Sequence, residues 1–413
     1  MGCWLLSGLC RLILFEIYNG FKHKEVDIKV SEWSYCLNQI KAVLFIQFLN
    51  SFVSGILAVA LPLMMKERNV DIVVIGFVFA SMPLIMQLGR MFFATVSDFL
   101  GRRIFFIFNG FLGVVSGLIY YFASTPLEFL FGKAMEGSKE GSLWAVNRPF
   151  LLETNGKHWR ILVHLRTVVY VASAVGSLSA GFFVLWFLYE GTMLFCALIG
   201  VFVISLSLLL VDVKKERFNV EKALHFLDFR KKERIFKIFL VLFFVMGLSF
   251  GFYSGFVIPL FLDKNGFTAE TVGLIVGVRV LLAGLFSYLF AGSVKMRQFI
   301  LLSGILHSLT FLLLSFSFSI FAGILVVAYG VVEGILSIGQ EGILSKICAK
   351  ESYGTDIGLL MMGLHVGEAS SLALSGLLIS LWGFMAPFLL SALTYAFFYV
   401  SSYMILEEPK IAN

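Results

Sequence analysis

Eleven runs of mostly apolar residues follow one another along this chain, near 40–65, 71–96, 103–124, 161–187, 191–211, 237–262, 271–294, 298–318, 320–346, 356–380 and 383–405. Each matches the ~20 residues that a helix needs to cross the hydrocarbon core of a bilayer. The composition supports that reading. The chain is 59% hydrophobic and 14% charged, where soluble domains sit near about 45–50% and about 25%. Such an excess is hidden from water only in lipid, so an all-α, polytopic membrane protein is expected.

One stretch interrupts the pattern. "FLFGKAMEGSKEGSLWAVNRPF", 129–150, carries Lys133, Glu136, Lys139, Glu140 and Arg148. Charge topology decides whether it is a loop. Cytoplasmic flanks collect Lys and Arg, and the densest basic segment, 212–237, holds nine of them. The turn "SDFLGRRIFF" is a second basic flank. Both lie inside only if an even number of spans separates them, and three apolar runs do. Counting 129–150 as a span restores parity. The other side then carries only Lys66, Arg68 and Lys264 between spans.

The result is twelve transmembrane helices with both termini cytoplasmic. They divide into an N-terminal six-helix bundle (39–211), a cytoplasmic loop (212–236) and a C-terminal six-helix bundle (237–406). A short tail follows (407–413). Residues 1–38 read as a cytoplasmic extension, either an interfacial helix or the product of a mis-assigned start. The two bundles echo each other. Gly110 matches Gly304 at a shift of 194, Gly137 matches Gly334 at 197, and Gly181 matches Gly376 at 195. Repeats of this kind build transporters, with the substrate site between the halves near the midplane.

Several functions are excluded or disfavoured. Five scattered cysteines without C-x-x-C spacing give neither a disulfide framework nor a metal site. No G-x-x-x-x-G-K-[ST] loop is present for ATP-driven pumping. No cofactor is expected, and the basic loop is explained by the anionic inner leaflet rather than by nucleic acid.

With these residues in place, the chain resembles the major facilitator superfamily. The loop between spans 2 and 3 in that family reads G-x-x-x-D-R-x-G-R-R. "ATVSDFLGRR" supplies Asp98, Gly101, Arg102 and Arg103, with Ala94 and Phe99 departing from the pattern. "KAMEG" supplies Lys133 and Gly137 where span 4 in the family opens R-x-x-x-G, and "YGTDIGL" stands at the motif before span 11. The resemblance covers 40–405 and implies alternating access by two rocking bundles. It also implies that Asp98, Gly101, Arg102 and Arg103, joined by Arg90, form a cytoplasmic gate. The family's antiporter core in span 5, G-P-x-x-G-G, reads "GSLSAG" here, which weakens a drug-efflux reading.

Candidate pathway residues follow from the cost of charge in a membrane. A charge at a helix centre costs about 2.5–3.5 kcal/mol on insertion scales, so these side chains must turn inward. On span 4, Lys133, Glu136 and Glu140 share a face with Trp144, Asn147 and Arg148, and Lys139 sits at its edge. Either Glu136 or Glu140 titrates while the lysines brace it, or the set is a structural ladder. Span 5 offers Arg166 and Tyr170 in line with Ser173 and Ser177, as an anion-binding stripe or as interhelical glue. Span 1 adds Gln47 and Asn50. Arg279 in span 8 needs a partner, for which Glu333 or Glu368 serves. Span 10 brings Glu333 and Glu341, and span 11 brings His365 and Glu368. Carboxylates and histidine in apolar surroundings exchange protons in the physiological range.

The expected function is a secondary transporter in the cell (inner, cytoplasmic) membrane, acting as a monomer. It would move a small polar or charged organic solute, coupled to protons. A multidrug–proton antiporter is the alternative. A non-transporting solute sensor and an intramembrane hydrolase are more distant.

Overall fold

The computed structural model describes residues 30–154, 160–212, 232–290, 296–348 and 353–406. Most of the expected N-terminal extension, most of the central loop and the tail lie outside the described residues. Within them, every regular element is helical. In chain order they are α1 (Val30–Glu67), α2 (Ile72–Leu100), α3 (Arg103–Phe122), α4 (Pro126–Thr154), α5 (Arg160–Ser207), α6 (Arg234–Gly251), α7 (Val257–Lys264), α8 (Ala269–Phe290), α9 (Met296–Ser315), α10 (Ser319–Ile347), α11 (Tyr353–Trp382) and α12 (Met385–Ile405).

Twelve elements give twelve spans, but not one to one. α5 crosses twice, folding back at Leu188 with φ 59 and ψ 178, a region that residues with a Cβ seldom enter. α6 and α7 together cross once, separated by a turn in which Gly255 takes φ 60. Nine of the described helices are long and apolar enough to span on those grounds. α4 is not among them, because its charges lower its hydropathy, yet it packs against α2 and α3 as a full-length member of the bundle.

Local chemistry sets the turns. α1 ends at Glu67, and Asn69 takes the left-handed φ of 57 that asparagine tolerates best among residues with side chains. Asp71 then accepts from the Val73 N–H at 2.8 Å and opens α2. On the same face, Glu128 accepts the N–H groups of Ser124 and Thr125 at 2.6 and 2.8 Å. Those bonds hold its carboxyl down at about 2.

The repeat read from glycines is visible as equivalent helix contacts. A Cβ on Gly137 of α4 would lie 2.9 Å from the Met82 carbonyl of α2, and one on its mate Gly334 of α10 would lie 2.7 Å from the Ala283 carbonyl of α8. Gly110 seats α3 on the second crossing of α5, and Gly304 seats α9 on α12. Gly181 and Gly376 do the same between the halves, against α8 and α2 respectively.

Serines reinforce this. Ser173 Oγ and Ser177 Oγ of α5 donate to the Ser51 and Gly55 carbonyls of α1 at 3.2 and 3.1 Å. In the other half, Ser371 and Ser375 of α11 donate to the Gly247 and Gly251 carbonyls of α6 at 3.4 and 3.5 Å. The serine stripe of span 5 is therefore interhelical glue, the role such hydroxyls commonly take in membranes.

Close approach of this kind is intolerant of side chains. A Cβ on Gly176 would fall 2.1 Å from the Phe52 carbonyl oxygen. Gly176→Val is expected to lower the melting temperature of the detergent-purified protein, by at least the about 1–3 kcal/mol typical of overpacking. Gly358→Ala, with nothing within 4 Å of the added Cβ, is the control that leaves it unchanged.

Candidate functional site

The charged residues of α4 do not converge on one point. Lys133 Nζ lies 2.9 Å from Glu136 Oε2, and the two side chains are 4% and 3% exposed. Tyr120 of α3 donates its hydroxyl to the same carboxylate at 2.7 Å. The ammonium also sits 4.4 Å from the centre of the Phe79 ring of α2, an additional cation–π contact. This is a dry knot between α2, α3 and α4.

One turn further, Lys139 lies 3.5 Å from Glu140. The two point apart from the first knot. Lys139 runs beside Gly113 of α3 and borders a small cavity lined by Asn50, Asn109 and Cys196. Glu140 reaches α1, where Ser54 Oγ donates to it at 2.9 Å. Asn147 donates to Gln47 of α1 at 2.7 Å, and Gln47 donates in turn to Ser51. Asn50 donates back to the Ile46 carbonyl at 2.9 Å and makes its own helix turn its partner.

The C-terminal half is built differently. Arg279 Nε of α8 faces Glu333 Oε2 of α10 at 3.5 Å, with side chains 14% and 22% exposed. His365 Nδ1 lies 3.1 Å from Glu368 Oε2, one turn along α11, and both are about equally accessible at 15% and 14%. Glu136 and Glu333 occupy matching positions in the repeat, yet one is sealed against a lysine and a phenol and the other is partly exposed.

Sequence reasoning passed over a third cluster. His307 of α9 is fully buried, with Tyr329 Oη 3.1 Å from Nδ1 and Ser391 Oγ 3.3 Å from Nε2. Its ring lies 3.6 Å, centre to centre, from that of Tyr395, and Tyr253 packs on its other neighbours. A lone histidine in "LLSGILHSLT" carries no pattern, and its partners are 22 and 84 residues away.

The halves meet unequally at their two ends. At the face away from the termini, backbone meets backbone. A Cβ on Gly181 would lie 2.2 Å from Glu270 Cα, and one on Gly76 would lie 2.9 Å from the Leu372 carbonyl. Lys66 and Asp263 form an ion pair across the halves there. At the other face, side chains bridge. Arg166 of α5 pairs with Glu341 of α10, and Gln87 of α2 donates to the Gly358 carbonyl of α11 at 3.2 Å. The Arg166 guanidinium lies 6.0 Å from the ring of Tyr170, which itself packs on Gly284 of α8.

The sequence motif between α2 and α3 lies at this same face. Gly101 takes φ 89, and a Cβ there would strike Asp212 at 2.3 Å. Arg103 donates its backbone N–H to Asp212 at 2.8 Å and its guanidinium to the Leu208 carbonyl at 2.7 Å. Arg102 grips Glu153 with Nε at 2.9 Å from Oε2. These contacts stay inside the N-terminal half. The Arg90 backbone packs on Gly141 of α4, where an added Cβ would lie 3.0 Å from the Arg90 N, and the side chain of Asp98 lies outside the described residues.

A sequence model described as the Major Facilitator Superfamily matches residues 43–338 and again 239–413. The chain belongs to the major facilitator superfamily. That makes it a transporter rather than an enzyme, as the residues led us to expect. Among solved structures, nucleoside transporter NupG is similar at 15% identity and a TM-score of 0.73, over 90% of this chain and all (100%) of that one. A point mutant of the same transporter gives 15% and 0.74 over 89% and 100%. At that identity the likeness shows the superfamily fold, twelve helices in two related bundles, and not the cargo. No curated protein matches the sequence at a significant level.

Proposed function

We propose that this superfamily member is a proton-coupled carrier that moves a small polar or charged organic solute by alternating access. The terminal face, basic through Arg102, Arg103, Arg234 and Lys237, is assigned to the cytoplasm of the cell membrane by the positive-inside rule. The observation that carries the reading is the unequal contact between the halves. Backbone packing closes the outer end, while partly exposed side-chain pairs bridge the inner one, with titratable pairs on the helices between.

In this reading Arg166 and Glu341 are the inner latch, and Lys66 with Asp263 is its outer counterpart. Half-exposed ion pairs are worth only about 0–1 kcal/mol each, which suits contacts that must break in every cycle. His365 and Glu368 are the proton-exchanging pair, and Lys133 with Glu136 braces the N-terminal half. A nucleoside, the cargo named for the structural neighbour, falls within the solute class without any residue singling it out. Multidrug efflux fits less well, because α8, α10 and α11 each carry a partly exposed charged side chain held in an ion pair, Arg279 with Glu333, Glu341 with Arg166, and His365 with Glu368.

The test is flux into liposomes under an imposed pH gradient, screened over organic acids, amino acids, sugars, nucleosides and cationic dyes. Uphill uptake of one class that collapses with the gradient is expected. Uptake indifferent to the gradient removes the coupling, and no flux of any class removes the carrier reading. For the latch, Glu341→Arg sets two cations face to face and is expected to lower turnover several-fold. Adding Arg166→Glu should recover part of it, and a double variant no better than the single one counts against the pair.

A further inference from the structure

Arg279 and Glu333 are an ion pair that does not close. An arginine normally grips a carboxylate with paired bonds of about 2.7–2.9 Å. Here the nearest approach is 3.5 Å, Arg279 Nε and Glu333 Oε2 are both buried without a hydrogen-bond partner, and neither residue makes another hydrogen bond to the described protein. Lys133–Glu136 closes at 2.9 Å with a phenol on the same oxygen, and Lys139–Glu140, also 3.5 Å apart, differs in that Glu140 takes a serine hydroxyl.

Slack in the backbone does not explain the gap. A Cβ on Gly330, one turn from Glu333, would lie 2.3 Å from the Arg279 carbonyl, so α8 and α10 already touch where both side chains leave them. Tyr253 and Tyr329 are buried, and the Tyr329 hydroxyl is engaged with His307 rather than with the pair. The two side chains are 14% and 22% exposed, and of their polar atoms only Arg279 Nε and Glu333 Oε2 are buried without a partner. Buried polar atoms without partners cost about 1–3 kcal/mol each, so such a pair is held ready for something that completes it.

What completes it is constrained by charge. The pair is neutral as a unit and its field is that of a dipole. An anion that claimed Arg279 would strand the carboxylate, and a cation that claimed Glu333 would strand the guanidinium, each leaving a charge unpaired in low dielectric. A neutral group with an acceptor beside a donor satisfies both. We propose that Arg279 and Glu333 form a subsite for a neutral solute bearing adjacent C=O and N–H groups, an amide, cyclic imide or urea edge. Arg279 donates to the carbonyl and Glu333 accepts from the N–H. This rests on the carrier reading above and narrows its solute class.

The experiment is ligand-induced thermal stabilisation of the full-length protein in detergent. Uracil, hydantoin and glutarimide are the probes, each beside its counterpart methylated at every ring nitrogen, with lactate and choline as ionic controls. At least one imide should raise the melting temperature, with the methylated counterpart at least tenfold weaker. A site built around a donor and an acceptor discriminates strongly against a ligand lacking one of them. The double variant Arg279→Leu with Glu333→Leu removes the pair without stranding a charge. It should keep the unliganded melting temperature and lose the response.

Stabilisation by lactate or choline alone, an equal response to the methylated compounds, a response surviving in the double variant, or no response to any imide each overturns the subsite. Gradient-driven flux of some other solute alongside a silent imide panel would sink the subsite and leave the carrier standing. Imide binding without flux of any solute would do the reverse.

Discussion

Glu136→Gln should yield little folded protein, and what survives should melt far below the parent. The carboxylate is 3% exposed, 2.9 Å from the Lys133 ammonium and 2.7 Å from the Tyr120 hydroxyl. Removing its charge leaves an ammonium in a dry site, with only the Phe79 ring and the Met82 sulfur, 3.6 Å away, beside it. Breaking a buried pair from one side costs about 3–5 kcal/mol, a large share of the about 5–15 kcal/mol that holds a typical fold together. The compensated variant Lys133→Met, Glu136→Leu, Tyr120→Phe replaces the whole knot by apolar groups of similar size and should recover most of the melting temperature. Monodispersity on gel filtration and the thermal midpoint check both. If Glu136→Gln instead folds normally and loses only transport, the bracing role is wrong and Glu136 belongs to the proton path.

That question was posed by the sequence, and the packing supplies the contacts that bear on it. The number of spans, the twelfth among them, and the duplication were legible, because hydropathy, Lys/Arg asymmetry and glycine spacing are local or periodic properties. Gly137 and Gly334 could be matched from sequence since each sits under a carbonyl that admits no Cβ. The fate of the α4 charges was not legible. A helical wheel puts Lys133, Glu136 and Glu140 on one face, but α4 touches α1, α2 and α3 along its length. Which neighbour offers Tyr120 and which offers Ser54 is settled by residues 16 and 86 positions away. The break of span 7 into α6 and α7 was equally hidden, since "GFYSGF" keeps its hydropathy while Gly255 turns the chain. His307 and its tyrosines escaped because neutral polar groups in an apolar run disturb neither the hydropathy nor the charge count.

Glu368→Gln should leave the protein folded and abolish uphill transport. Glu368 and His365 differ from the α4 pairs in what else they hold. Each is about one-seventh exposed (14% and 15%), they meet at 3.1 Å, and among the described residues no third side chain bonds the Glu368 carboxylate. Adding or removing one proton there changes the net charge without stranding a second group, which is what a coupling site needs. The pair also sits where it can be felt. A Cβ on Gly247 would lie 2.9 Å from the Glu368 N, and one on Gly251 would lie 2.4 Å from its carbonyl, so α6 and α11 are in backbone contact beside it. α11 in turn carries the Gln87 contact to α2. Accumulation driven by a pH gradient should therefore fall to the level of liposomes without protein in Glu368→Gln. Exchange of labelled for unlabelled solute at equal pH should persist, since it requires rocking but no net proton movement. His365→Gln, which keeps a hydrogen-bond donor beside the carboxylate but cannot become cationic, should shift the pH profile of uptake while retaining part of the rate. Undiminished gradient-driven accumulation in Glu368→Gln would remove this pair from the proton path, and loss of exchange together with uptake would make it part of the hinge instead.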